Sequence, residues 1–156
     1  MPRYGRIKKR KIAPDGIYGS VLIQRFINKM MIGGKKFKVE TIFYAAMEEV
    51  AKKTGKKPLE VFEKAIDNVA PQLEVKARRV GGATYQVPVE ITKDRAQAIA
   101  MQWLREGSRE RKGKSMVENL SGELLDAYNN TGSAIKNRES LHKTAEANKA
   151  FAHFRW

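Results

Sequence analysis

The sequence predicts a mainly α protein: a six-helix bundle with an inserted, protruding two-stranded β-hairpin arm and a basic N-terminal extension. Three observations predict it. Six segments repeat apolar residues at helical spacing. One segment, around Gly81-Gly82, changes to a period of two. The first 16 residues carry Arg3, Arg6, Lys8, Lys9, Arg10 and Lys11, with no acid before Asp15 and only Ile7 and Ile12 as large aliphatic side chains. A chain of 156 residues is expected to form one domain, residues 1–156. Within it 1–16 is the flexible basic extension, 72–91 the arm and 148–156 a C-terminal tail. The extension cannot bury enough apolar surface to offset its ordering entropy, so a ligand must order it.

Each element has its own signals. Ser20 suits an N-cap, and Leu22, Ile23, Phe26, Ile27, Met30 and Met31 then follow helical spacing up to Gly33-Gly34. Val39, Phe43, Ala46, Met47 and Val50 mark a second helix that Thr54-Gly55 ends. Pro58 opens a third, where a missing N–H costs nothing. Its stripe is Leu59, Phe62, Ile66 and Val69, and Ala70-Pro71 closes it because the residue before proline avoids helical torsions. Leu73, Val75 and Ala77 then alternate with Glu74, Lys76 and Arg78. Beyond the glycine pair, Tyr85, Val87, Val89 and Ile91 alternate with Gln86, Pro88 and Glu90. Those two strands form the hairpin. Pro88 suits an edge strand, and so short a sheet must lean on helices at its base. Thr92 caps a fourth helix with Ala96, Ile99, Ala100, Trp103 and Leu104 on its inner face. Residues Arg105 to Lys114, with Gly107 and Gly113, read as a frayed helix end and a basic loop. Ser115 and Glu118 form a capping box for a fifth helix with Val117, Leu120, Leu124 and Tyr128. Gly132-Ser133 starts a sixth, with Ile135, Leu141 and Ala145. The end, Phe151 to Trp156, interleaves aromatic and basic residues.

Charge indicates the partner. Lys and Arg number 31 against 17 Asp and Glu, a net +14. The excess is concentrated: residues 1–38 hold 11 bases and 1 acid, and residues 75–114 hold 10 and 4. Concentrated positive charge gains free energy by displacing the counterions of a polyanion. The helical stripes are enough to cover one another, and the third and fifth helices carry acidic outer faces, so a membrane surface is not the expected partner. No apolar run is long enough to span a bilayer, and the start lacks a signal peptide's apolar core, so the expected compartment is the cytoplasm.

Catalytic constellations are missing. There is no Cys, and the two His, His142 and His153, are too few for a metal centre. Gly33-Gly34-Lys35-Lys36 fails as a phosphate loop, because Lys29 stands where its first Gly belongs and Lys36 where Ser or Thr must hold magnesium. Gly81-Gly82 lies between two strands, not between a strand and a helix. No nucleophile–base pair, cofactor, metal or small-molecule substrate is expected, and the chain does not read as an enzyme. What remains is recognition: lysines and arginines position a phosphate backbone, and Tyr85, Phe154 and Trp156 could stack on bases. Trp156 suits a packing plug equally well. Trp103 reads as core. By composition, the RNA-binding candidates are Arg3, Arg6, Lys8, Lys9, Arg10, Lys11, Arg95, Arg109, Arg111, Lys112 and Lys114. The alternative is a DNA-bending architectural protein whose arm inserts Pro88 into a minor groove; Pro88 lies far from the tip, which argues against it.

Four motifs carry a resemblance: Tyr18 to Met31 running into Gly34-Lys-Lys36, Pro58 to Phe62, Glu74 to Pro88, and Ala145 to Trp156. They resemble the family of the seventh protein of the bacterial small ribosomal subunit. The resemblance implies a structural constituent of the ribosome that binds small-subunit ribosomal RNA as a primary binder. It implies that the chain joins the 3′ major domain and nucleates assembly of the subunit's head. It further implies a place at the subunit interface near the decoding centre, the exit-site tRNA and the mRNA path. The ninth and eleventh small-subunit ribosomal proteins would be neighbours. By motif, Lys35, Lys36, Lys76, Arg78 and Arg79 would touch ribosomal RNA. The segment with Gly81, Gly82 and Tyr85, and the one with Lys149, His153, Arg155 and Trp156, would face tRNA and the neighbouring protein.

Overall fold

Three phenylalanines, one from each of the first three helices, meet at the centre of the bundle. Phe26, Phe43 and Phe62 are fully buried, with ring centroids 5.3–5.6 Å apart and tilted or edge-on geometry. Edge-to-face rings place a positive edge against a negative face, a gain beyond burial alone. The structure, a computed structural model, describes residues 11–154. The helices are α1 (Val21–Met30), α2 (Lys36–Thr54), α3 (Pro58–Val69), α4 (Lys93–Glu110), α5 (Met116–Tyr128) and α6 (Ser133–Ala147). Strands β1 (Leu73–Val80) and β2 (Ala83–Glu90) lie between α3 and α4, and a 3-10 helix follows at Lys149–Phe154. Helix α5 packs against α2, α3, α4 and α6 and is the hub of the bundle. All six helices contribute to one core.

The centres of the predicted stripes are buried and their flanks, Leu22, Leu59, Ile99, Trp103 and Leu141 among them, half-buried; three departures stand beside this agreement. Ser20 and Thr92 occupy N-cap positions, but neither hydroxyl accepts a helix N–H. The buried Asp15 instead holds the turn that leads into α1: its carboxylate accepts from the amides of Ile17 (3.2 Å), Tyr18 (2.8 Å) and Ser20 (2.7 Å). Asp15 therefore belongs to the folded body and not to an extension. At Ser115 the expected cap is present, the hydroxyl accepting from the Glu118 amide at 3.3 Å. Second, α4 does not fray at Gly107. It runs to Glu110, and its buried face continues through Gly107 and Ser108. The stripe keeps its period there but loses its apolar side chains, so its continuation reads as a loop. Third, the tail contains the 3-10 helix, which packs on β2.

The hairpin turns on Gly81 and Gly82, with φ of +58° and +89°. A two-residue turn with positive φ at both positions matches the twist of the strands, and glycine adopts it without strain. The pairing puts Leu73 opposite Glu90, Val75 opposite Pro88 and Ala77 opposite Gln86. Partners across strands share a face. The apolar positions of β1 and those of β2 (Tyr85, Val87, Val89) therefore lie on opposite faces of the arm. Val87 and Pro88 are buried, whereas residues 81–84 at the tip are exposed.

Candidate nucleic-acid interface

The basic residues fall into two groups at opposite ends of α4. Its 18 residues make it about 27 Å long. At its C-terminal end Arg105 and Arg109, one turn apart, reach the end of α1. Arg109 Nη2 donates to the Met30 carbonyl at 2.8 Å and Arg105 Nη1 to that of Lys29 at 3.5 Å. These carbonyls lack partners within their own helix, and cations favour that end of the helix dipole. Burial, reinforced by the neighbouring Arg105 charge, holds the Arg109 guanidinium below its ordinary value. Arg109 thus has a structural task that composition did not reveal.

Beside it is the α1–α2 turn. Gly33 and Gly34 both have positive φ, +58° and +74°, and they deliver Lys35 and Lys36 to the surface. Lys36 pairs with Glu40 at 3.4 Å. A shallow cleft of about 240 Å³ is lined by Ile32, Lys35, Lys38, Ile42, Arg109 and Met116, among others. Two exposed apolar residues stand here, Phe37 at 85% and Ile32 at 66% exposure. Neither these nor Lys38 were singled out by sequence. The available signal was an aromatic off the α2 stripe amid three lysines.

Arg111, Lys112 and Lys114 follow in the α4–α5 connection. Lys112 and Lys114 are exposed and share a cleft of about 340 Å³ with Lys53, Arg111, Glu118, Asn119 and Gly122. Arg111 turns inward. Its Nε and Nη2 donate to Glu123 Oε2 at 2.9 and 2.7 Å, and Nη2 also bonds Asp126. Burial opposes the Arg111 charge, but the bonds to Asp126 and Glu123 outweigh it and raise its pKa. Glu123 is fully buried, and its other oxygen accepts from Ser133 Oγ (3.0 Å) and the Ala134 amide (3.1 Å) at the start of α6. One carboxylate thus ties α4, α5 and α6 together. Gly107 exists to admit it: a Cβ there would collide with Ser133 Oγ and lie 2.8 Å from Glu123 Oε1.

The second group is the arm. Glu74, on β1, pairs with Lys76 at 3.0 Å and with Arg95 of α4 at 3.2 Å. Burial alone would raise the Glu74 pKa. The bonds from Lys76 and Arg95 outweigh it and hold the carboxyl below the usual range. Arg79 is exposed and Arg78 half-buried, and Gly81 and Gly82 form the open tip. Tyr85 packs on its own chain, its ring 5.1 Å from those of both Phe151 and Phe154. Lys149 and His153 lie exposed on the 3-10 helix beneath it, and His153 Nδ1 bonds the Ala150 carbonyl at 2.9 Å. His142 accepts the Gln72 amide at 3.2 Å and fixes the arm's root. Pro88 is buried at the arm's base, unsuited to act as a wedge in a groove. Lys11 is exposed. Arg3, Arg6, Lys8, Lys9, Arg10, Arg155 and Trp156 lie outside the described residues. Among the described residues no cluster of His, Cys, Asp or Glu could hold a metal, and no helix is long and apolar enough to cross a membrane.

Residues 2–149 match the family described as ribosomal protein S7p/S5e. The chain belongs to that family. It is 58% identical to the small ribosomal subunit proteins uS7 of Nitratidesulfovibrio vulgaris and of Natranaerobius thermophilus, each over 156 residues and the full length of both chains. It is 55% identical to that of Dictyoglomus turgidum over the same span. As a member of the S7p/S5e family the chain is a structural ribosomal protein and not an enzyme.

Proposed function

We propose that the chain binds the ribosomal RNA of the small subunit through both basic groups and, as a primary binder, helps the 3′ major domain fold into the subunit's head. The carrying observation is the arrangement of exposed cations at the two ends of α4, Lys35, Lys36, Lys112 and Lys114 at one and Lys76, Arg79 and Arg95 at the other. Such an arrangement suits an extended polyanion and not a compact one. Arg78, on the arm, joins the second group. Arg109 and Arg111 contribute by holding the helices that carry the first.

The open tip at Gly81 and Gly82, the neighbouring Tyr85, and Lys149 and His153 on the 3-10 helix form one edge. In this reading they face the exit-site tRNA, the mRNA path and a neighbouring protein, with the ninth and eleventh small-subunit proteins as the partners expected. Arg155 and Trp156 would extend that edge. The likeness to the named small-subunit relatives supports both assignments. Chemical footprinting of the purified chain on small-subunit ribosomal RNA tests the first of them. Protection should appear in the 3′ major domain, and its absence there refutes the reading.

A further inference from the structure

Phe37 is the most exposed large apolar side chain of the described residues, at 85%. Helical pitch holds it out: the α2 stripe is Val39, Phe43, Ala46, Met47 and Val50, and 100° per residue puts position 37 on nearly the opposite side. Burying such a ring is favourable, a gain the free chain does not collect. Single exposed apolar residues are ordinary, but the surroundings of this one are not. Lys35, Lys36 and Lys38 flank it, and of the three Lys36 is the one that pairs with a carboxylate among the described residues, that of Glu40. Ile32, 66% exposed, stands across the same turn. Lysine is depleted where proteins bind proteins. An aromatic face ringed by cations is the arrangement that holds a single-stranded nucleic acid, the cations on phosphate and the ring under a base.

We propose that Phe37 is a stacking platform for an unpaired nucleobase of the RNA whose backbone is held by Lys35 and Lys38. The inference rests on the ribosomal-RNA reading above and adds to it a site for one splayed base. The sequence of that base is left open by stacking, because every base has a π-face.

The test uses the full chain and a transcript of the 3′ major domain of small-subunit ribosomal RNA. Phe37→Ala should weaken binding roughly 5- to 150-fold and leave the salt slope unchanged, whereas Lys38→Ala should lower that slope by about 1. Phe37→Leu keeps apolar bulk without a π-face and should bind as poorly as Phe37→Ala. Phe37→Trp should retain affinity, and its emission should be quenched by the transcript beyond the change seen in the parent chain, which carries Trp103 and Trp156. Equal binding by the parent, Phe37→Ala and Phe37→Leu would overturn the stacking platform and leave the RNA reading intact. So would a Phe37→Ala variant that binds RNA normally but fails to join a second small-subunit protein. A parent chain that ignores the transcript would instead overturn the RNA reading and this inference with it.

Discussion

Gly107 shows how one missing methyl group can set the geometry of three helices. Alanine would gain up to about 1 kcal/mol of helix propensity there. Its Cβ, however, would meet the Ser133 hydroxyl and the fixed Glu123 carboxylate. Overpacking of this kind costs about 1–3 kcal/mol, so we predict that Gly107→Ala lowers unfolding stability by about 1 kcal/mol or more, read by urea titration. Arg111→Met leaves the buried Glu123 without its cation, and losses of about 3–5 kcal/mol accompany such uncompensated charge. Arg111 keeps 34% side-chain exposure and water can partly replace it, so the lower end, about 3 kcal/mol, is expected in the same titration. Lys36→Ala belongs to a different class. It should leave stability within about 0.5 kcal/mol of the parent and reduce the salt slope of RNA binding by about 1. A slope unchanged within error would mean that Lys36 does not meet phosphate.

At the scale of elements, the arm is a separate structural problem from the bundle. Its root is held by Glu74 between Lys76 and Arg95 and by the Gln72 amide on His142; its side is held by Tyr85 on two phenylalanines. The Glu74 carboxyl has a lower pKa folded than unfolded. Its contribution is therefore complete above the ordinary carboxylate pKa and is lost as pH falls through the folded value. Amide protection in β1 and β2, taken relative to the intrinsic exchange rate at each pH, should fall on acidification through that window, and Glu74→Gln should remove that fall. Tyr85→Ala should accelerate exchange across the hairpin by the equivalent of about 1–3 kcal/mol, while amides of α2 and α5 keep their protection. The six helices and the hairpin were legible in sequence because their periods differ and Pro58, Pro71 and the Gly81-Gly82 pair punctuate them. What was not legible depends on contacts between distant positions. The last turn of α4 is buried through Gly107 and Ser108, residues whose composition signals a loop. The inward turn of Arg111 depends on Glu123, twelve positions away, and the restraint on Tyr85 depends on Phe151 and Phe154. In the candidate interface Lys112 and Lys114 were legible from charge, Lys35, Lys36 and Lys76 from the family's motifs, and Lys38 from neither; the structural duty of Arg109 was not legible, because it answers carbonyls at the end of another helix.

For the whole molecule, the length of α4 keeps the two cationic groups well beyond the range at which substitutions interact directly. Free-energy changes at sites more than about 7–10 Å apart usually add. We predict that Lys36→Ala combined with Arg79→Ala weakens RNA binding by the sum of the single effects and lowers the salt slope by about 2. A clear excess over the sum, seen by filter binding at fixed salt, would mean that the RNA draws both ends into one cooperative fold. The buried proline of β2 has a consequence beyond docking. A ribbon of only two strands leaves both outer borders unpaired, an invitation to polymerise with its copies. Without an N–H at Pro88, and with like-charged Lys76 and Arg79 on the other strand, neither border is a good template for a third strand. The arm therefore offers neighbouring copies of the chain little to extend by strand addition.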